Sequence, residues 1–262
     1  MDNKIDIKTE LNSDEYKREV QRLVTTRESL FHCLLFCLMN ASRDGVSHKD
    51  NFFLRMIDDI IQSSTSIELL AREGVTNTCK RELRYLLEVS IKSCFIVNSF
   101  SGKTFELQIE EYNKLLDSSN INPINTLKLG YLKDGVDKLF LTDVKKMYGY
   151  LSNYTHSTSY QITERLNRVQ NGRSIGYEGI SELKDLNDSI ERVFSYVLVF
   201  IFHSVAQYVV GDYLVESNGD SINWHFNQSK YINIIDGEFD YKHERKSKLN
   251  ELKQKREKYT KF

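Results

Sequence analysis

The stretch VFSYVLVFIFHSVAQYVVGDYLV, residues 193–215, decides the fold. It is long and apolar enough to serve either as a membrane span or as the centre of a helical core. Ser195, His203, Ser204 and Gln207 interrupt it, Asp212 follows closely, and no other apolar span accompanies it. Those interruptions favour the core. The reading is a long helix opened by Ser181 and running to about Glu216, with no stable membrane insertion. His203 inside such a helix reads first as a hydrogen-bonded core histidine and second as a site candidate.

Composition agrees with helices around that core. One proline and 12 glycines in 262 residues leave little turn punctuation for an all-β chain. The expected fold is an all-α, multi-helix bundle with a long central apolar helix and a charged C-terminal tail helix. A net charge of −1 gives no general attraction to nucleic acid or membrane. Cys33, Cys37, Cys79 and Cys94 form no CxxC pair and read as free buried thiols in a reducing compartment. No His/Asp/Glu/Cys cluster has metal-ligand spacing, and no cofactor is expected. The opening MDNKIDIKTELNSDEYKR has no apolar core and predicts no signal peptide, hence a cytoplasmic protein.

Moving outward, residues 1–12 read as a polar arm, 13–217 as the helical domain, 218–240 as an irregular segment or short hairpin, and 241–262 as a basic tail helix. Ser13 opens a helix to about Ser42, whose second half, SLFHCLLFCLM, is apolar nearly all round and predicts burial. Asp50 begins a second helix that Gly74 terminates. A third runs from Thr76 or Asn77 to about Phe100, with Leu83, Leu86, Leu87, Ser90, Cys94 and Val97 as its inner stripe. Arg81, Arg84, Tyr85, Glu88 and Lys92 lie opposite. They read as a solvated face stitched by Arg84–Glu88, or else as a face covered by another polar patch or a second subunit. A shorter helix, about Thr104 to Leu116, and the loop DSSNINPIN follow.

The candidate chemistry lies in LTDVKKMYGYLSNYTHSTSY, residues 141–160. As one amphipathic helix it puts Phe140, Val144, Met147, Leu151 and Tyr154 on one stripe, with Lys145, Gly149, Ser152 and His156 on its flank. Gly149 would admit a close backbone or ligand. Ser152 and His156, one turn apart, would set a hydroxyl beside an imidazole. The bland reading is that His156 only caps its own helix. The glycine-rich loop VQNGRSIGYEGI matches no phosphate-binding pattern.

Two stretches, CKRELRYLLEVSIKSCFI and YGYLSNYTHSTS, resemble members of the HEPN superfamily, helical-bundle proteins of bacterial toxin–antitoxin and anti-phage systems. The resemblance implies a metal-independent ribonuclease whose site is completed across a homodimer. It implies His156 as general acid or base, Arg84 and Glu88 as its polar partners, and Ser152, Asn153 and Lys145 as phosphate-positioning groups. The family's signature is an arginine, four to six residues, then a histidine. The three positions before His156 that could hold it are Gly149, Tyr150 and Leu151. Arg27–His32 and Arg43–His48 have the spacing, but on a straight helix the first pair points about 140° apart. The second pair spans a glycine.

Residues 241–262 carry nine Lys/Arg against three Glu. A basic tail beside an acidic body suits RNA contact, self-association or plain solvation. Two functions follow: an RNA-cleaving effector in defence or toxin systems, or a catalytically inert helical module acting through a protein or nucleotide partner.

Overall fold

Four long helices whose apolar residues recur at three- and four-residue intervals bury them against one another. The computed structural model describes residues 7–41, 43, 51–117, 120–155, 158–170, 179–216, 219–239 and 246–262. Among them are eleven α-helices: α1 Ile7–Asn12, α2 Asp14–Ala41, α3 Phe52–Arg72, α4 Thr76–Ser99, α5 Phe105–Leu116, α6 Val136–Ser152, α7 Ser159–Gln170, α8 Ile180–Phe202, α9 Gln207–Leu214, α10 Lys230–Glu238 and α11 Lys246–Tyr259. Short 3-10 turns cover Asn122–Thr126 and His225–Gln228. The extended pairing among these residues is one antiparallel bridge, Val215 with Ser221. The protein is all-α.

The core closes as a ring. Helix α3 packs on α4, α4 on α8, α8 on α2 and α2 on α3, while α6 lies against α4 and α10 against α8. Every residue of α8 from Val193 to Phe202 is buried. Phe140 of α6 meets the rings of Tyr196, Phe200 and Tyr231 at 4.9–5.4 Å. Cys33, Cys37, Cys79 and Cys94 are free and buried. No helix among the described residues is long and apolar enough to cross a membrane.

Helix ends follow local chemistry. The Ser13 hydroxyl accepts from the Tyr16 N–H at 3.1 Å, capping α2. Asn51 caps α3, its side chain accepting from the Leu54 N–H; Asp50 lies outside the described residues. Gly74 closes α3 with φ 67°, a left-handed value that glycine adopts without steric cost.

Five expectations need correction. The long helix from Ser181 to Glu216 is two helices; at the break the His203 and Ser204 side chains bond the Val199 and Phe200 carbonyls. The Ser204 carbonyl in turn accepts from Asn51, and the chain turns before Gln207. The segment around 141–160 likewise stops helically at Ser152. There the Asn153, Tyr154 and Thr155 N–H groups tighten into three-residue-back bonds, and α7 starts afresh. The second half of α2 is buried on one side only: His32, Leu35 and Met39 are exposed, Met39 by 73%. Residues 218–240, read as irregular or hairpin, contain α10. Around Gly149 there is open space where a β-carbon would project, so no backbone among the described residues makes the close approach, which leaves the ligand half of that reading.

Helix α7 is turned inside out. Gln161, Glu164 and Arg168 face the body, while Ile162, Leu166 and Val169 form an exposed stripe, Val169 by 71%. A stripe that buries little contributes little. Leu166→Ser and Val169→Ser are therefore each expected to change the unfolding free energy by less than about 0.5 kcal/mol in urea titration. A loss of several kcal/mol would show that this face is covered in solution.

Candidate functional site

The i, i+4 row Lys80, Arg84, Glu88 and Lys92 runs along one side of α4, and α6 covers it. Of the two readings of the polar face, the covered one holds for Arg84, Glu88 and Lys92, while Arg81 and Tyr85 stay exposed. Arg84 Nε donates to Ser152 Oγ at 3.1 Å, and its Nη2 donates to the Tyr148 hydroxyl at 2.5 Å. The guanidinium also lies over the Tyr148 ring at 4.6 Å and beside the Glu88 carboxylate at 3.5 Å. Tyr148 donates to Glu88 Oε2 at 3.1 Å, and Lys92 Nζ donates to Glu88 Oε1 at 2.7 Å. Lys92 is 1% exposed. Burial first, and then the Glu88 carboxylate, push the Tyr148 phenol up to about 12. It therefore keeps its proton at neutral pH and can donate it to Glu88.

One turn earlier Lys80 enters the same interface. Its ammonium donates to the Tyr154 hydroxyl at 2.9 Å and lies 3.6 Å from Glu164 of α7, which Arg168 also engages at 3.0 Å. Burial, then the neighbouring Tyr150, raises the Tyr154 phenol far above its ordinary range. The inside-out placement of α7 follows from this: its polar residues have buried charges to satisfy, which outweighs burying three aliphatic side chains.

Of the residues expected in a site, the structure joins Arg84, Glu88 and Ser152. Lys145 is not with them; it is exposed and donates to Asn125 at 2.7 Å. Asn153 ends α6, and its carbonyl accepts from the Thr158 hydroxyl at 2.9 Å. His156 lies outside the described residues, as does His48. Helix α6 ends at Ser152, so the described helix does not extend to the position of His156. Arg27 pairs with Glu68 at 2.8 Å, and His32 packs on Tyr213 at 5.9 Å between ring centres, so the two do not form one site.

His203 is a core histidine. Its Nδ1 donates to the Val199 carbonyl at 2.7 Å, and its Nε2 accepts from the Tyr131 N–H at 3.2 Å. Burial lowers its pKa to about 4, so the ring is neutral at physiological pH.

A second polar cluster, invisible to local reading, forms where α2, α8 and His225 meet. Arg22 donates to both oxygens of Glu191, at 2.7 and 2.5 Å, and to Asp188 at 2.5 Å. Glu191 is 2% exposed, and His225 Nε2 sits 3.0 Å from its Oε1 and 3.1 Å from the Thr26 hydroxyl. Burial pushes the Glu191 carboxyl up, but hydrogen bonds from His225 and Arg22 outweigh it and the net shift is downward. Arg22 and Glu191 are 169 positions apart, so no spacing rule could have joined them.

These residues line a cleft of about 500 Å³ with Arg192, Gln228, Lys261 and Phe262. An adjoining cleft of about 530 Å³ shares Arg192 and Phe262. A third, of about 730 Å³, lies between α11 and residues 220–236. Arg256 pins α11 there through Asp236 at 2.8 Å and Ser221 at 2.7 Å. No group of three or more His, Cys, Asp or Glu able to hold a metal is present among the described residues. Comparison with protein-family profiles, with characterised proteins and with solved structures returned no match.

Proposed function

We propose that this chain is a HEPN-like helical module of bacterial anti-phage defence or a toxin system that acts by binding a protein or nucleotide partner. The supporting observation is the closure of the Arg84–Ser152 interface. Arg84 gives its Nε–H and an Nη2–H to Ser152 and Tyr148 and lies 3.5 Å from Glu88, which accepts from Lys92 and Tyr148. An arginine that stabilises a reacting phosphate must point donors at the substrate; this one points them at its own fold. In this reading α8 is the central apolar helix, α11 is the charged tail, and the protein works in the cytoplasm as a homodimer.

A second reading, a metal-independent ribonuclease using His156, draws on one observation: Arg84 touches Ser152, four residues before that histidine. In it the ribose 2′-hydroxyl loses its proton to His156 and attacks the adjacent phosphorus, the 5′-oxygen leaves and takes up a proton, a 2′,3′-cyclic phosphate remains, and the tail holds RNA electrostatically.

One experiment separates the two. Purified protein and its His156→Ala variant are incubated with total RNA and a labelled oligoribonucleotide in EDTA, beside a pull-down from host lysate. The module reading expects intact RNA with both proteins and a co-purifying partner. Cleavage by the wild type alone replaces it with the ribonuclease reading.

A further inference from the structure

We infer that the cleft beside His225 binds a small phosphomonoester, with its organic part in the adjoining cleft. The inference deepens the binding-module reading by naming a ligand class for a site away from Arg84.

The charge pattern of the cleft points to an anion. Its two side-chain carboxylates, Glu191 and Asp188, are already spent on Arg22. The Arg192 guanidinium and the Lys261 ammonium are exposed and have no hydrogen bond or ion pair among the described residues. His225 is held by Nε2 against Glu191, which leaves Nδ1 with no hydrogen bond from the described residues. An imidazole fixed this way gives Nε2–H to the buried carboxylate. Its Nδ1 can then share a proton with a phosphate oxygen, with Glu191 on the far side of the ring. Two unpaired cations and one oriented imidazole suit a compact dianion.

The adjoining cleft says what the phosphate is attached to. Phe262 and Arg192 border both spaces, and Met147, Tyr150 and Tyr196 give the second one an apolar and aromatic wall. Lys146 and Lys230 stand at its rim. A ring or other flat group fits against Phe262 and Tyr150 once the phosphate is seated by His225. A free mononucleotide and the 5′-phosphorylated end of an oligonucleotide share this chemistry.

The test is calorimetric titration of the full chain with inorganic phosphate, phenyl phosphate, adenosine monophosphate, adenosine and a 5′-phosphorylated RNA tetranucleotide. Saturable binding of phenyl phosphate and the mononucleotide is expected, with inorganic phosphate about tenfold weaker and adenosine silent. Arg192→Ala and Lys261→Ala should each weaken the mononucleotide about tenfold without moving the melting temperature, because neither side chain supports the fold. A tetranucleotide that binds more tightly than the mononucleotide identifies an RNA end as the source; a weaker one identifies the free ligand. Absence of saturable binding to any phosphate ligand up to about 1 mM overturns the inference. So does adenosine binding as well as its monophosphate, or full affinity in both variants. Pull-down and RNA cleavage read the module as a whole, whereas these titrations read the cleft alone, so each proposal can fail without the other.

Discussion

Glu88→Ala is expected to destabilise the protein by about 3–5 kcal/mol, read as a lower urea midpoint at unchanged slope. The loss comes from the groups left behind. Lys92 is buried with its ammonium 2.7 Å from Glu88 Oε1, and Tyr148 gives its proton to the other oxygen. Removing the carboxylate takes from a buried ammonium its 2.7 Å counter-ion and from the Tyr148 phenol the acceptor of its proton, and that loss exceeds what the pair contributes when intact. Two controls isolate the mechanism. Glu88→Gln keeps the shape and an acceptor, and should lose roughly half as much. The double substitution Glu88→Leu, Lys92→Met replaces the pair with apolar groups of similar size and should recover most of the loss. If Glu88→Ala costs under about 1 kcal/mol, water reaches Lys92 and takes the place of the carboxylate.

Acid should weaken the fold through His203. The folded value of about 4 lies below the ordinary 6.5 because burial disfavours the imidazolium. Between those two values the unfolded chain takes up a proton that the native state refuses. The stability that His203 contributes is therefore complete above about 6.5 and is lost as pH falls through 4. A shift of this size corresponds to about 3 kcal/mol across the window. Other groups titrate there too, so the measurement is a difference. Urea unfolding of wild type and His203→Gln is compared at several pH values from 7 to 4. The variant starts less stable, having lost the Val199 and Tyr131 hydrogen bonds, but should lose less as the pH falls. Parallel curves would mean that His203 is not the buried neutral group.

Helical periodicity located α3 and α4 within a residue or two, because repeated leucines and isoleucines with Gly74 between them are local signals. The break after Phe202 was not legible. The Ser204 carbonyl at the break is held by Asn51 from 153 positions away, a contact no local pattern displays. The candidate site was half legible. Glu88 and Arg84 stood out within a polar face opposite an apolar stripe, but a one-dimensional pattern cannot say whether such a face meets water or another helix. Tyr148 and Lys92 answered that only in three dimensions. His225 was passed over because its partners, Glu191 and Thr26, come from distant parts of the chain.

The ties between α2 and α8 carry a consequence for synthesis. Glu15 to Lys184, Glu19 to Asn187 and Arg22 to Glu191 each join residues nearly 170 positions apart. During translation at about 5–20 residues per second, α2 must wait roughly ten to thirty seconds for its partner helix to leave the ribosome. Through that interval Leu23, Leu30 and Leu34, all buried in the finished protein, have no α8 to lie against. Contacts of such long range make the closing of the ring a slow, late step. The nascent chain is thus most exposed to aggregation before residue 191 emerges, and a chaperone that shields α2 would act in that window.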